Sequence, residues 1–345
     1  MAISFRGAKN FKRHNGFSDH AIIKTPLPSD IYTYGLTRCG VRLSPLVQPD
    51  SHVLAGQKIA DLESFNALPL HSSVSGRVIS VSENEIQVES DMLFEKAPPQ
   101  RTDKSPSSLT TRERLWIMRE AGICECLSGE AAHVLLTPKK SPDCVIVRCF
   151  DSDPYVSAQQ TITRLNVDKI LNGLDIAMSI LNVKSAVIAV EEDTEKTFSA
   201  FKLSLRYNQG ISLIKLKARY PQSDSDILIK TVTGKDTKFA NALVISAETL
   251  YNISRVFEDG YPVTDKIVTV SGDDILEPAN FRIPSGLPIS ALLSDAGYTD
   301  AKTVISGGIV KGAVTEPDTP VTLCTSSVIA FNDTKNIPKY RKELV

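Results

Sequence analysis

Between Cys144 and Ser246 four short runs rich in β-branched residues, CVIVRC, SAVIAV, ISLIKL and ALVIS, alternate with stretches of helical spacing. The clearest of these stretches is Ile162–Leu181, where Leu171, Leu174, Met178 and Leu181 recur on one face; a second passes through Phe198, Phe201 and Leu205. Strands apolar on both faces need helices above and below, and a helix between consecutive strands makes them parallel. The region is therefore predicted to be a parallel sheet covered by helices. Ligands of such sheets sit beyond the carboxyl ends of the strands. That rule places Asp151, Asp153, Tyr155, Glu191, Glu192 and Asp193, all just after strands, around any pocket. Acidic residues at these positions are equally ordinary as caps and turns.

The chain has 345 residues, 42% of them hydrophobic and 23% charged, enough apolar material for two or three domains. Its 39 basic and 40 acidic residues leave a net charge of -1, and aromatics make up 6%, so neither a global field nor a base-stacking surface points to nucleic acid. No apolar run approaches the ~18 residues of a spanning helix, and no transmembrane segment is expected. The basic start, MAISFRGAKNFKRHNGF, lacks the apolar stretch of a signal peptide. A cytoplasmic protein with reduced thiols is the resulting expectation.

Either side of the sheet the pattern changes. Residues 1–94 carry short apolar pieces (Gly40–Leu43, His52–Leu54, Lys58–Ala60, Gly76–Val81, Ile86–Val88) between Pro, Gly, Asn and Ser, as in an all-β module. The half-motifs AGQKIA and SVSGRV suit a lipoyl-like barrel-sandwich without its carrier lysine, and His71-Ser72-Ser73 reads as a turn rather than a nucleophile. Residues 95–110 read as a linker, after which Thr110 or Thr111 is placed to cap a helix that Gly122 ends. The α/β domain is taken as 111–260 and a small α+β module as 261–331, with strands at Lys266–Ser271 and Thr303–Ser306 around a helix near Pro288–Ala296. The basic tail 332–345 is expected to be mobile or partner-bound.

The six cysteines contain no C-x-x-C pair; only Cys124 and Cys126 are close enough in sequence to suggest a shared metal. Cys144 and Cys149, five residues apart on a strand, point to opposite faces. Structural or incidental cysteines are the expectation, and no metal site is assigned.

The order of these units, with GQKIAD, LHSSVSGRV, DPYVSA, RYPQ, VTVSGD, PANFRIPSG and ISGG, resembles the C subunit of the Rnf ion-translocating electron-transport complex from about Phe5 to Phe331. The resemblance implies a barrel-sandwich domain, a Rossmann-like α/β domain and a β-grasp, soluble-ligand-binding module. It implies a peripheral subunit on the cytoplasmic face of the membrane that takes hydride from NADH onto FMN and passes electrons through 4Fe-4S clusters to membrane partners. Carried over from the family, the candidate cofactor-binding residues are Ser128, Gly129, Asp151, Asp153, Tyr155, Glu191, Glu192 and Tyr220.

Two departures follow from the same comparison. The family's glycine-rich phosphate loop corresponds to Gly122-Ile-Cys-Glu-Cys-Leu-Ser-Gly-Glu-Ala-Ala-His133, where only Gly122 and Gly129 remain and Glu125 and Glu130 oppose a phosphate. Lys139, Lys140 and His133 are the residues placed to compensate. The cluster cysteines that follow the family's equivalent of Thr325–Phe331 have one counterpart nearby, Cys324, so 4Fe-4S clusters are expected to be absent. Two expectations stand side by side: a docking subunit with lost or altered cofactor binding, and an FMN-dependent NADH oxidoreductase subunit that hands electrons to a separate iron–sulfur partner. Basic groups at the ends, Arg6, Lys9, Lys12 and Arg13 and then Lys335, Lys339, Arg341 and Lys342, are candidate contacts for lipid or acidic partners.

Overall fold

The structure is a computed structural model and describes residues 2–5, 7–14, 22–101, 104–125, 128–298 and 302–344, without the side chains of 342–344. Arg6, Cys126 and the Lys342 side chain lie outside the described residues.

The first domain is a sandwich of an antiparallel sheet, ordered Ile31–Gly35, Glu85–Ser90, Gly76–Val81, His52–Val53, and a three-stranded sheet of Ser44–Pro45, Lys58–Asp61 and Leu70–His71. The ribbon Thr37–Arg38/Val41–Arg42 lies between them in sequence. The strand Ile31–Gly35 is not among the expected pieces. It alternates strictly, with Tyr32 and Tyr34 buried and Ile31 and Gly35 exposed, but its inward residues are tyrosines rather than aliphatics.

The first part of the stretch read as a linker, residues 95–101, is tied to its neighbours, with Ala97 N donating to Ala55 O at 2.8 Å and Gln100 N to Gly260 O at 2.8 Å. Helix α1 (Thr111–Glu120) opens with a capping box: Glu113 N donates to Thr110 Oγ1 at 3.2 Å, and Thr110 N to Glu113 Oε2 at 2.7 Å. A hairpin, Cys124–Glu125 with Glu130–Ala131, leads into the single turn α2 (Ala132–Leu135).

The central sheet is parallel in the order Ile211–Leu216, Ala186–Glu191, Cys144–Arg148, Ala242–Ser246. Where one helix is predicted over Ile162–Leu181, there are two, α3 (Ala158–Leu165) and α4 (Val167–Leu181). Asn166 divides them by turning its Nδ2 back to Ile162 O at 2.9 Å, the local competition with helix bonding that asparagine favours. Helices α5 (Glu195–Ser204), α6 (Ser225–Thr233) and α7 (Ala247–Asp259) complete the cover. Leu174 of α4 and Leu250 of α7 share one core with Val145, whereas Leu228 of α6 packs with Ile146 on the other face. Cys149 joins the first cluster and Cys144 packs on the second, so the two do face apart.

The third module is a six-stranded mixed sheet, Ile23–Lys24, Ala279–Pro284, Asp265–Gly272, Ser327–Phe331, Thr303–Ser306, Ala313–Val314, with α8 (Ile289–Asp295) against it. Its edge strand Ile23–Lys24 belongs, by sequence, to the stretch expected to form the first domain, yet it pairs parallel to Ala279–Pro284. Tyr32, Val78 and Ile86 of the sandwich share one hydrophobic cluster with Val268, Phe281 and Leu292 of this module. The tail is packed rather than detached. It forms α9 (Lys339–Leu344), Tyr340 stacks on Phe11 at 4.2 Å, and Arg341 donates to Ile309 O at 2.6 Å and Gly312 O at 2.8 Å.

Candidate functional site

The central strand order runs outward from Cys144–Arg148 on one side and then returns to its other side at Ala242–Ser246. The switch point therefore lies at the carboxyl ends of these two strands, where open α/β sheets form their ligand crevice. A cavity of about 770 Å³ opens beside the carboxyl end of Cys144–Arg148, lined by Arg148, Asp151, Asp153, Tyr220, Asp224 and Lys311 among others.

Of the acidic residues after the strands, Asp151, Asp153 and Glu191 are each engaged by the protein itself, whereas Glu192 and Asp193 are exposed. Asp151 Oδ2 accepts from Gln159 N at 3.0 Å, a carboxylate on the first turn of α3, and Arg148 lies 3.8 Å from its other oxygen. Asp153 reaches across to the third module, accepting from Val310 N at 3.1 Å. It fits because residue 308 is glycine: with φ +102°, a Cβ there would stand 2.8 Å from Asp153 Oδ2. Burial pushes the Asp153 carboxyl above its ordinary range. Lys311 is held by both oxygens of Asp224, at 2.9 Å each.

The N-terminal arm crosses the mouth of the crevice. Ile3 bridges to Leu216 and Lys9 to Tyr220, with Lys9 N donating to Tyr220 O and Tyr220 N to Lys9 O, both at 2.9 Å. Arg13 donates to Asp151 O at 3.2 Å and forms an ion pair with the buried Glu191, whose second oxygen accepts from Gln160 Nε2 at 3.0 Å. Burial outweighs the Arg13 guanidinium and pushes Glu191 up to about 7. His14 stacks on Tyr155 at 4.9 Å, and that ring meets Phe331 edge-on. Arg13 is thus bound inside the fold, not displayed to a partner.

The hairpin strand Cys124–Glu125 reaches the carboxyl end of the neighbouring strand Ala242–Ser246. Glu125 is buried, and its Oε2 accepts from both Ser246 N at 3.0 Å and Ser246 Oγ at 2.9 Å, at the N-cap of α7. Ser246 Oγ in turn accepts from Thr249 N at 3.2 Å. One turn further, Glu248 pairs with Lys266 of the third module, each side chain only 3% exposed, and accepts from Gln159 Nε2 at 3.1 Å.

Of the residues predicted from the sequence, Asp151, Asp153, Tyr155, Glu191 and Tyr220 are brought together. Glu192 is exposed, and neither Ser128 nor Gly129 lines the crevice cavity; Ser128 Oγ only accepts from Glu130 N at 3.3 Å. Gly129 has φ +69°, but a Cβ added there would meet nothing within 4 Å. Lys139 and Lys140 are exposed, and His133 is buried with its Nε2 donating to Phe65 O at 2.6 Å. Sequence reasoning does not place Arg13, His14 or Gln160 in the site. Glu125 carries a signal, a carboxylate where a phosphate loop is expected, but the repelling charge that the sequence suggests is in the fold a helix cap.

A second cavity, of about 250 Å³, lies at the junction of the three units and is lined by Tyr34, Arg38, Cys39, His71, Cys124 and Cys324 among others. His71 is buried, and desolvation together with the nearby Arg38 charge pushes it down to about 3. Among the described residues, no group of three or more His, Cys, Asp or Glu side chains stands as a preformed metal site.

The barrel-sandwich joined to a switch-point α/β domain is an architecture that comparison with known proteins also finds. The family model for the RnfC barrel sandwich hybrid domain matches residues 4–94, and that for the Nuo51 FMN-binding domain matches residues 118–255. The chain is 28% identical, over 97% of its length and 78% of the relative's, to the C subunit of the proton-translocating ferredoxin:NAD(+) oxidoreductase complex of Clostridium ljungdahlii. It is 27% identical to the Na(+)-translocating counterpart of Acetobacterium woodii, over 85% of this chain and 71% of that one. Against the C subunit of the Haemophilus influenzae ion-translocating oxidoreductase complex the identity is 25%, over 88% of this chain and 49% of the relative. A chain of an NAD+-reducing [NiFe]-hydrogenase shares the fold, with a TM-score of 0.56 at 13% identity, covering 68% of this chain; this chain spans 49% of that one. Over most of its length the chain is thus similar to the C subunits of ion-translocating oxidoreductase complexes, and its first domain matches the RnfC barrel-sandwich model.

Proposed function

We propose that this chain is a C-type subunit serving as a peripheral docking component of an Rnf-like membrane complex on its cytoplasmic face, with the family's flavin site taken over by its own side chains. The observation that carries the reading is the Glu125 carboxylate on the α7 N-cap. A helix N-terminus beside a sheet's switch point is where a cofactor phosphate finds backbone donors. Here one such N–H is already spent on a carboxylate. A phosphate charge 4 Å from it would meet about 4 kcal/mol of repulsion at an effective dielectric of 20.

The remaining residues fit FMN no better. The retained Gly129 stands in open space, so it does not mark a close backbone approach, and the cavity wall carries Asp151, Asp153, Asp224 and Asp226 against Arg148 and Lys311. Arg13 and His14 hold the ground in front of Glu191 and Tyr155. We read the third module as the family's β-grasp domain, with iron–sulfur and membrane subunits as the partners.

A second reading, an active FMN-dependent NADH oxidoreductase subunit, is favoured by the size of the crevice cavity, about 770 Å³, within the range of small-molecule sites. The purified full-length protein separates the two. We expect no flavin absorption on purification and no saturable FMN binding. Stoichiometric FMN that bleaches on adding NADH would overturn the docking reading and establish the second. Glu125→Ala sharpens the test, since removal of the blocking carboxylate should raise FMN affinity if the cap is the obstacle.

A further inference from the structure

Three thiols separated widely in sequence meet at the junction of the three folded units. Cys39 lies in the tight connection between Thr37–Arg38 and Val41–Arg42, Cys124 on the hairpin strand Cys124–Glu125, and Cys324 in the loop before Ser327–Phe331. The Cys39 and Cys124 sulfurs are 3.6 Å apart across 85 residues, and those of Cys124 and Cys324 are 3.6 Å apart across 200 residues. A disulfide would need about 2.05 Å. A tetrahedral ion with metal–sulfur bonds of about 2.3 Å sets neighbouring ligand sulfurs about 3.8 Å apart, close to the separation of the two pairs that share Cys124.

We propose that Cys39, Cys124 and Cys324 form a thiolate site for a thiophilic divalent metal ion of the zinc type, holding the sandwich, the α/β domain and the third module together.

The surroundings suit such an ion. The three cysteines line one cavity of about 250 Å³, which has room for a water or another donor at the fourth position. His71 stands in the same wall, buried, with neither ring nitrogen in a well-formed hydrogen bond. The three thiols give up their protons to solvent as the metal–sulfur bonds form, leaving a net charge of -1 on the site. Arg38 lines the same cavity, so its guanidinium is placed to balance that charge; it donates to the carbonyls of Pro69 and Gly122, which fixes its position. Cys324 also lines the crevice cavity, so the site stands in the wall between the two spaces. None of this depends on whether flavin binds.

Cobalt(II) tests the site in the full-length protein, reduced and stripped of metal. We expect one Co2+ per chain, with sulfur-to-cobalt charge-transfer absorption and the intense visible bands of tetrahedral cobalt, displaced by one equivalent of Zn2+. Cys324→Ser, at an exposed position, should weaken Co2+ binding at least tenfold and abolish part of the charge-transfer intensity, as should Cys39→Ser, while Cys144→Ser on the central sheet leaves both unchanged. Circular dichroism verifies that each variant is folded. Substoichiometric uptake, a cobalt spectrum without sulfur charge transfer, or a Cys324→Ser protein that binds as the parent does would each overturn the proposal. So would conversion of a thiol pair to a disulfide, with loss of two protons and two electrons to an added oxidant, in a protein that takes up no metal when reduced.

Discussion

The crevice at the carboxyl ends of the parallel sheet and the cavity at the three-unit junction are built from the same fold elements and are finished in opposite ways. In the crevice, charge is answered by charge from within the chain: Arg13 meets Glu191, Lys311 meets Asp224, and Glu125 takes the α7 N-cap. At the junction, three thiols and an unprotonated His71 face a small space beside the Arg38 cation. A site that satisfies its own electrostatics has little to offer an ionic ligand, whereas a site lined by polarizable donors retains affinity for a metal.

The largest expected effect lies at the buried pair that ties α7 to the third module. Glu248→Ala removes the carboxylate that faces the buried Lys266 and should cost about 3–5 kcal/mol in urea unfolding. A loss below about 1 kcal/mol would mean that the pair does not tie α7 to the third module as the structure has it.

The crevice plug has a signature in pH. Because Glu191 titrates near 7 in the fold against 4.5 ordinarily, the folded protein binds more protons than the unfolded chain between these values. Its favourable contribution is complete below about pH 4.5 and is lost as pH rises through about 7, by about 3 kcal/mol in all. Denaturation midpoints measured across that window should fall with increasing pH, and Glu191→Gln should remove this part of the slope. A slope unaffected by the substitution would show that Arg13 keeps Glu191 ionised throughout.

Ser246→Ala deletes an N-cap and one of the two donors to Glu125, with an expected loss of about 2 kcal/mol in thermal or chemical unfolding. Thr110→Ala, at a capping box remote from both spaces, should cost about 1 kcal/mol and leave cobalt and flavin titrations unchanged. It calibrates the others.

The parallel sheet was legible because its information is periodic: ISLIKL and ALVIS became strands at the residues that spell them. Asn166 split a helix that apolar spacing alone made continuous, since a side-chain bond to Ile162 O leaves no trace in hydrophobic periodicity. Acidic residues after strands were placed correctly at the sheet's carboxyl end, but their partners were not, because Arg13 lies 178 residues from Glu191. The same reason hid the thiol triad. Pairings across such distances are fixed by how whole units dock, and no local spacing encodes that.

The hydrophobic cluster common to Tyr32, Val78 and Ile86 on one side and Val268, Phe281 and Leu292 on the other bears on the birth of the protein. As the chain leaves the ribosome, the sandwich emerges first with part of its apolar surface uncovered, and some 200 residues must follow before the strands that cover it are made. Pairing of Ile23–Lys24 with Ala279–Pro284 waits for the same moment. Closure of contacts so distant is slow. The nascent sandwich accordingly keeps apolar surface uncovered until those later strands arrive, and a ribosome stalled within the α/β domain would hold an incomplete, adhesive core.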